Sequence, residues 1–305
     1  MRIRTLSSTD STHGFGAMHW NLSAVGAAVD ERGKAAHQFS RNSSDVCMSL
    51  EYLLDKTKGV LWNAQRTPLE DIAGQIGRAQ SLLIEATTLG FVEILLLIRA
   101  VYMSGIRRFD VLYVEPLEYR RSNSVDAPWL RDFSLSNCRR FEGVHGFLMN
   151  LSVIPEGKGR LITFLGYEGG RLAQACEQLD LVGWEKYAVF GIPSYAPGWE
   201  INAFANNVDI LERERFSSVR YCPASGVSLA YDLLEKTHKE CGGADGTTVV
   251  APLGTKPHGI ASALFLNEYC QYQQTVLIYD HPSRSENRSS KVRRWHLYRI
   301  DLGDS

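Results

Sequence analysis

Short apolar runs alternate with amphipathic segments along most of the chain. The pattern is clearest from residue 81, where an apolar run at 81–87 is followed by an apolar helical segment at 90–104 and a second apolar run at 109–114. Runs of this length around a segment with helical spacing predict a strand, a helix and a strand. The pattern recurs, with further strands predicted at 160–165, 187–192, 219–223, 247–251 and 275–279, and helices at 170–179, 226–241 and 257–270.

The predicted strands have a distinctive composition, because their apolar residues are continuous and do not alternate with polar ones. Strands of this kind are buried on both faces, which is typical of a parallel sheet. A helix at each crossover then predicts an α/β protein with a doubly wound, mostly parallel, Rossmann-like sheet.

Residues 1–80 have a different character. The first dozen residues are polar and predict a loose arm. Residues 18–29 and 34–40 predict a hairpin around an Asp-Glu-Arg-Gly turn, and 68–79 predicts a helix. We therefore expect 1–80 to pack as an arm, a hairpin and a helix on the core of the Rossmann-like domain.

The Rossmann-like domain is predicted to span 81–305, with a long insertion at 116–158 that contains no convincing helix. Long connections within compact domains are more often functional than inert. Near the end of the chain, the alternating run at 295–300 predicts an edge strand, antiparallel to its neighbour.

One stretch, residues 247–261, has the features of an anion site. A buried strand leads into the turn Gly254-Thr255-Lys256, and Pro257 then opens a helix. Thr255 can cap the free N–H groups, and the helix N-terminus and Lys256 supply positive charge. Phosphate is the ligand that such a turn fits best, although it lacks the spacing of a Walker A loop and a plain strand-to-helix turn explains it about as well.

Other predicted strands also end in turns that can contact a ligand, because the ligand crevice of a doubly wound sheet lies at the carboxyl ends of its strands. A second glycine-rich turn precedes a helix with a basic residue at its start, and a third turn carries two threonines. We predict that phosphate, base or sugar contacts come from these turns, while structural turns or helix caps remain the alternative. The candidate ligand-binding residues are Thr87, Thr88, Gly166, Gly169, Gly170, Arg171, Gly254, Thr255 and Lys256.

Signals for catalysis are weaker. The sequence has no G-x-S-x-G elbow, no H-E-x-x-H motif and no strong acidic cluster for magnesium. An acid–base role remains open for residues near the strand ends, as does a capping or ion-pairing role. These candidates are Glu115, Glu168, His258 and Asp280.

Composition narrows the possible functions. The chain has 305 residues and a formal net charge of -1, which argues against general nucleic-acid binding. Its six cysteines form no C-x-x-C pair, so neither a zinc site nor a disulfide framework is predicted. Residues 1–30 lack a secretory signal and no run is long enough to cross a bilayer, so we expect a soluble, cytoplasmic protein with no metal or evident cofactor beyond a possible nucleotide ligand.

Two clusters of basic residues suggest a second contact surface. They could form a patch for nucleic acid or for a protein partner, including a second copy of the chain, although solvated loops explain such runs more often. The residues are Arg120, Arg121, Arg139, Arg140, Arg288, Lys291, Arg293 and Arg294.

The segment Leu253-Gly254-Thr255-Lys256-Pro257, between a strand and a helix, resembles the Gly-Thr-Lys turn of the CRISPR-associated Rossmann-fold sensors, the CARF-like domains. The Thr87-Thr88 turn is similar to their first ligand loop. The resemblance implies binding of nucleotides, commonly cyclic oligoadenylates, and a role in prokaryotic antiviral defence as a sensor or a subunit. Leu253 stands where many such sensors have a second glycine. An enzyme that hydrolyses a nucleotide or nucleic-acid bond in the same crevice, and a non-catalytic interaction module of a larger complex, are the alternatives.

Overall fold

The chain divides into two compact units in the computed structural model, which describes residues 1–54, 59–120, 135–137, 141–148, 159–178, 184–240, 246–269 and 275–303. Unit 1 comprises Met1–Tyr119 with Glu286–Ser305, and unit 2 comprises Arg120–Ser285. The predicted boundary at residue 80 falls inside unit 1. Most of the predicted insertion at 116–158 lies outside the described residues.

The helices and strands are numbered in chain order. The strands are β1 (Arg2–Thr9), β2 (Trp20–Val25), β3 (Ser44–Tyr52), β4 (Val60–Trp62), β5 (Gln65–Arg66), β6 (Leu82–Glu85), β7 (Arg108–Tyr119), β8 (Ser136–Asn137), β9 (Gly159–Leu165), β10 (Glu185–Gly191), β11 (Ser218–Cys222), β12 (Thr247–Pro252), β13 (Thr275–Leu277), β14 (Ser283–Arg284) and β15 (Ser289–Asp301). The α-helices are α1 (Glu31–Asn42), α2 (Leu69–Gly77), α3 (Phe91–Ser104), α4 (Gly169–Gln178), α5 (Trp199–Arg213), α6 (Val227–Glu240) and α7 (Lys256–Tyr269).

Unit 1 is built on a mixed, eight-stranded sheet in the order β1-β15-β7-β6-β2-β3-β4-β5. The four central strands, β7, β6, β2 and β3, are parallel. β15 pairs antiparallel with both β7 and β1, and β4 pairs antiparallel with β3 and β5. The predicted α/β class is therefore confirmed, whereas the sheet of this unit is mixed.

A core of aromatic and aliphatic side chains packs between α1 and the sheet of unit 1. Phe15, Trp20 and Trp295 are buried there with Leu297 of β15, and Phe39 of α1 packs against them. Phe39 makes edge or tilted ring contacts with all three aromatic residues, with centroid distances of 5.4 to 6.2 Å. Such aromatic contacts bury large apolar area with a defined geometry.

The N-terminal region differs from the prediction in two ways. The expected loose arm is strand β1, held by its antiparallel pairing with β15. The expected return strand of a hairpin at 34–40 is instead part of helix α1. The Asp30 side chain caps that helix by accepting the Gly33 N–H at 2.8 Å, which satisfies one of the free N–H groups of its first turn. Asp30 therefore caps the start of a helix and is not part of a hairpin turn.

The last strand of the chain is also only partly as predicted. It is antiparallel, as expected, but it lies between β1 and β7 and is not an edge strand. Its residues Trp295 to Tyr298 are buried, consistent with a position inside the sheet.

Unit 2 contains a five-stranded sheet in the order β11-β10-β9-β12-β13, and every pairing in it is parallel. The strands β9, β10 and β11 add in one direction, and β12 and β13 then add on the other side of β9. α4 packs against α5, and α6 packs against α7. The order of strand addition therefore reverses between β9 and β12. A small antiparallel pair, β8 with β14, completes the described strands of this unit.

Helix α7 is surrounded by protein on nearly all sides, since every residue from Pro257 to Asn267 is buried. A helix that is apolar all round is typical of a core position. In the described part of the chain, no helix is both long enough and apolar enough to cross a membrane.

Candidate functional site

The carboxyl ends of the unit 2 strands bring together most of the residues predicted for the site. Strand β9 ends beside β12, with Phe164 paired to Pro252. The turns that follow them, from Gly166 and from Leu253, touch each other: a Cβ atom added to Gly166 would lie 2.8 Å from the Leu253 carbonyl oxygen. Glycine is therefore required at Gly166 by the close approach of the two turns.

The β9 turn is also held from α5. Asn206 Nδ2 donates to the Tyr167 carbonyl at 2.6 Å, and Asn207 Nδ2 donates to the Gly166 carbonyl at 3.1 Å. A side chain at Gly169 would overlap the Asn206 carbonyl, whereas Gly170 faces open space. Packing thus accounts for Gly166 and Gly169, and Gly170 is the glycine of this turn that remains open to a ligand.

Arg171, at the start of α4, is paired within the protein. Its Nε and one terminal nitrogen each donate to an Asp280 carboxylate oxygen at 2.6 Å, and its other terminal nitrogen lies 3.4 Å from the Leu253 carbonyl. Burial alone would lower the pKa of Arg171, but hydrogen bonds and charge from Asp280 outweigh it and raise that pKa above its ordinary value. The pair joins the ends of β9, β12 and β13.

Glu168 lies beside this pair and contacts β8. Its carboxylate oxygens accept the Ser136 backbone N–H at 2.9 Å and the Ser136 hydroxyl at 2.8 Å, and one of them is 4.0 Å from Arg171. Glu168 and Asp280 thus flank one guanidinium group. Carboxylates in this position order the turns, and their negative charge outweighs that of the single arginine between them.

Thr255 and His258 tie the β12 turn to the end of β11. The Thr255 hydroxyl donates to the Ala224 carbonyl at 2.6 Å, and His258 Nε2 lies 3.0 Å from the Pro223 carbonyl oxygen. Since a carbonyl only accepts, Nε2 carries the proton and Nδ1 is an acceptor. Nδ1 is buried, has no hydrogen-bond partner among the described residues, and would be 3.1 Å from a Cβ atom at Gly254.

The environment of His258 leads to a pH prediction. Burial lowers the pKa of His258 from 6.5 to about 4, despite hydrogen bonds to the carbonyls of Pro223 and Cys222. A lowered pKa means that its contribution to stability is fully present above the unfolded value and is lost as the pH falls toward 4. Urea unfolding of unit 2 should therefore show a loss of up to about 3 kcal/mol over this window. His258→Gln should lack that part of the slope, and an unchanged slope would contradict a neutral, buried imidazole.

Lys256 begins α7 and is half-buried. It therefore lies where the helix backbone exposes its first N–H groups, next to Thr255 and Gly254. Its positive charge and the helix N-terminus reinforce each other at this turn. The other basic residue predicted for phosphate, Arg171, is paired with Asp280.

The predicted threonine turn belongs to unit 1 and is not part of this cluster of unit 2 turns. Thr87 and Thr88 are buried: the Thr87 hydroxyl accepts the Val114 N–H at 2.9 Å, and the Thr88 hydroxyl accepts the Gly26 N–H at 2.8 Å. Glu85 accepts the backbone N–H groups of both threonines, at 2.7 and 3.0 Å, and the Thr88 hydroxyl. These hydroxyls bind neighbouring strands and loops of unit 1.

Glu115 also belongs to unit 1, on strand β7. One of its oxygens is 3.2 Å from Arg293 Nε and the other is 2.9 Å from His296 Nε2. The sequence predicted either an arginine partner or a site for this acid, and the structure supplies an arginine and a histidine. His296 and its neighbours on β1 were not among the predicted site residues.

Much of the second basic cluster is paired with acids of unit 1. Arg288 lies 3.9 Å from Asp30, and Arg294 lies 3.4 Å from Asp10, in addition to the Arg293 contact with Glu115. The Lys291 backbone N–H donates to Glu31. Arg120 is described and exposed, whereas Arg121, Arg139 and Arg140 lie outside the described residues. Ion pairing thus reduces the positive charge that 288–294 offers to a polyanion.

Within the described ranges, no group of three or more His, Cys, Asp or Glu side chains could hold a metal ion. No protein-family model matches the chain. A search of curated proteins finds no similar sequence.

Proposed function

We propose that unit 2 is a doubly wound, Rossmann-like domain that binds a phosphorylated ligand, a nucleotide, at the turn Gly254-Thr255-Lys256. The observation that carries the proposal is the strand order β11-β10-β9-β12-β13, with all strands parallel. In open α/β sheets, ligands bind outside the carboxyl ends of the strands, where the order of addition reverses. Here that point lies between β9 and β12, and Lys256 follows β12.

The pairing of Arg171 counts against the β9 turn as the phosphate site. Arg171 is matched by Asp280 and has Glu168 at 4.0 Å, so its charge is balanced within the protein. Lys256 and the N-terminus of α7 are positive together, and His258 in the same helical turn is neutral. A phosphate group is therefore better accommodated at Gly254 to Lys256, with Gly170 providing space on the facing turn.

The resemblance to the CRISPR-associated sensors makes adenine nucleotides, including cyclic oligoadenylates, the first ligands to test, in a sensor or a subunit of an antiviral defence system. The same crevice contains Glu168, Asp280 and His258, which would have to act if the protein hydrolysed its ligand. Two of these are bound to Arg171 or Ser136 and the third is a buried neutral imidazole, so binding is the function that we favour.

Binding should depend on the charge of Lys256. We expect one member of a panel of AMP, ADP, ATP and cyclic di-, tri- and tetra-adenylate to raise the melting temperature of the protein, with inorganic phosphate as the minimal ligand. Lys256→Gln should weaken binding of that nucleotide by about tenfold or more in calorimetry, since a charged hydrogen bond contributes about 1.5–3 kcal/mol.

Lys236→Gln is the matched control, because it removes the same charge from an exposed position of α6 in unit 2. It should leave the affinity unchanged. If Lys256→Gln and Lys236→Gln bind equally well, the β12 turn is not the site. If the native protein cleaves the nucleotide and Glu168→Gln does not, the protein is a hydrolase.

A further inference from the structure

A row of three hydrogen-bonded side chains crosses strands β1, β15 and β7 of unit 1, which pair antiparallel. Ser8 of β1 lies opposite His296 of β15, and its Oγ is 3.2 Å from His296 Nδ1. On the other side of the ring, Nε2 is 2.9 Å from Glu115 Oε2 of β7. His296 and Glu115 are 3% and 5% exposed, whereas Ser8 is exposed. A hydroxyl open to solvent is therefore joined to a buried imidazole and carboxylate.

The Glu115 carboxylate determines which nitrogen of the neutral His296 ring carries the proton. An ionised Glu115 can only accept, so a neutral His296 carries its proton on Nε2. Nδ1 is then an acceptor, and the Ser8 hydroxyl is the donor that faces it. A serine hydrogen-bonded to a base that is itself oriented by a third group is the arrangement that activates a nucleophile.

Neighbouring side chains hold the base in place. The His296 ring lies nearly parallel to the rings of Tyr113, at 6.1 Å and 17°, and of Tyr298, at 6.0 Å and 7°. Arg293 Nε contacts the second oxygen of Glu115 at 3.2 Å. The imidazole therefore has restricted rotation, with Nδ1 directed toward β1. Preorganisation of this kind is what a general base needs.

Access to the hydroxyl comes from the position of β1. This strand is the edge of the eight-stranded sheet, so one of its sides has no neighbouring strand among those that the structure describes. An edge strand leaves backbone N–H groups unpaired on that side. Such groups can donate to an oxygen atom that approaches Ser8, as oxyanion-stabilising groups do in acyl transfer.

We propose that Ser8, His296 and Glu115 form an acyl-transfer centre that hydrolyses carboxylic esters. Ser8 Oγ adds to the ester carbonyl carbon while its proton passes to His296 Nδ1, and Nε2–H stays hydrogen-bonded to Glu115. The imidazolium then gives that proton to the alkoxide leaving group as the ester C–O bond breaks, which leaves the acyl group on Ser8.

Water completes the cycle. A water oxygen adds to the acyl carbon while one of its protons passes to Nδ1. The bond from this carbon to Ser8 Oγ then breaks, Nδ1 returns the proton to Oγ, and the carboxylic acid leaves. The net change is ester plus water to acid plus alcohol, so no oxidant, reductant or metal is required.

The test uses the whole 305-residue chain and a fluorescent fluorophosphonate, which phosphonylates activated serines with loss of fluoride. We expect stoichiometric labelling, located at Ser8 by peptide mass spectrometry, and hydrolysis of p-nitrophenyl acetate with a burst of one equivalent. Ser8→Ala should abolish both. Ser7→Ala is the matched control, because Ser7 is adjacent but pairs with Leu297 and not with the histidine, and it should leave both unchanged.

Glu115→Gln and His296→Gln should slow labelling by about 10²-fold or more, because general-base assistance contributes about 10²–10⁴-fold. Circular dichroism establishes that each variant is folded, and Ser8→Ala, at an exposed position, keeps the test decisive if the buried variants unfold. If the folded native protein is not labelled at Ser8, or if Ser8→Ala is labelled equally, the proposal is wrong.

Discussion

Asp280→Asn should lower the free energy of unfolding of unit 2 by about 3–5 kcal/mol, because it breaks a buried ion pair and leaves only the more distant Glu168, at 4.0 Å, to balance the charge of Arg171. Asp280 is fully buried, and Arg171 is 8% exposed. The two side chains form two hydrogen bonds of 2.6 Å. Hydrogen exchange of the β9 and β12 amides reports the stability of this unit.

Two further variants make the result interpretable. Glu240→Gln breaks an exposed pair with Lys236 in the same unit and should cost less than about 1 kcal/mol. The double replacement Arg171→Met/Asp280→Leu should recover much of the loss, because well-packed apolar residues can substitute for a buried pair. A loss from Asp280→Asn no larger than that from Glu240→Gln would show that the pair does not hold the strand ends together.

Glu85→Ala should cost about 3–5 kcal/mol in unit 1. The fully buried carboxylate accepts the N–H groups of Thr87 and Thr88 and the Thr88 hydroxyl, and each buried donor left unsatisfied costs about 1–3 kcal/mol. The exposed Glu51 of β3 provides the control, and Glu51→Ala should change stability by less than about 0.5 kcal/mol. Hydrogen exchange of the β6 and β7 amides measures both.

The same residue gives unit 1 a defined pH dependence. Burial raises the pKa of Glu85 above its ordinary 4.5, even though the hydrogen bonds from Thr87 and Thr88 favour the charged form. A raised pKa in the folded state means that this contribution is fully present below about 4.5 and is lost as the pH rises through the folded value. Glu85→Gln should remove that slope, and a native protein whose unit 1 stability rises over this window would argue for a lowered pKa.

The elements of unit 2 were predictable where burial alone sets their pattern. Strands β9, β10 and β12 read as apolar runs because they lie inside a parallel sheet, and β13 reads as one because it is buried although it is an edge strand. Helix α5 was missed. Its buried face includes Asn202 and Asn207 beside apolar residues, which interrupts the helical spacing of apolar residues. Asn207 is buried because it binds the Gly166 carbonyl, a contact that no local pattern encodes.

The antiparallel strands β1 and β15 of unit 1 were the least predictable part of the fold. Strand β1 has mostly exposed or half-buried residues, and its partner β15 lies at the far end of the sequence. The pairing of Ser8 with His296 depends on that register, so neither residue has a local signal for its role. Glu115 had one, because an acid at the end of an apolar strand requires a partner.

The sequence predicted which turns form the candidate site, but not which charged side chains pair within it. The turns after β9 and β12 were expected at one edge of a sheet, and they touch there. The pairing of Arg171 could not be foreseen, because its acid, Asp280, follows a different strand. The charge of Arg171 alone therefore overstated the case for a phosphate at the second basic turn.

The pairing of β7 with β15 has a consequence for biosynthesis. Tyr119 is paired with Ser289, and between these residues the chain forms the whole of unit 2. On a ribosome, β7 and β1 cannot pair with β15 until the residues of β15 have left the exit tunnel. Unit 2 is therefore complete in sequence before unit 1, and its folding shortens the loop that β7 and β15 have to close. The nascent chain should acquire protease resistance in the inserted unit first, with the N-terminal residues protected last.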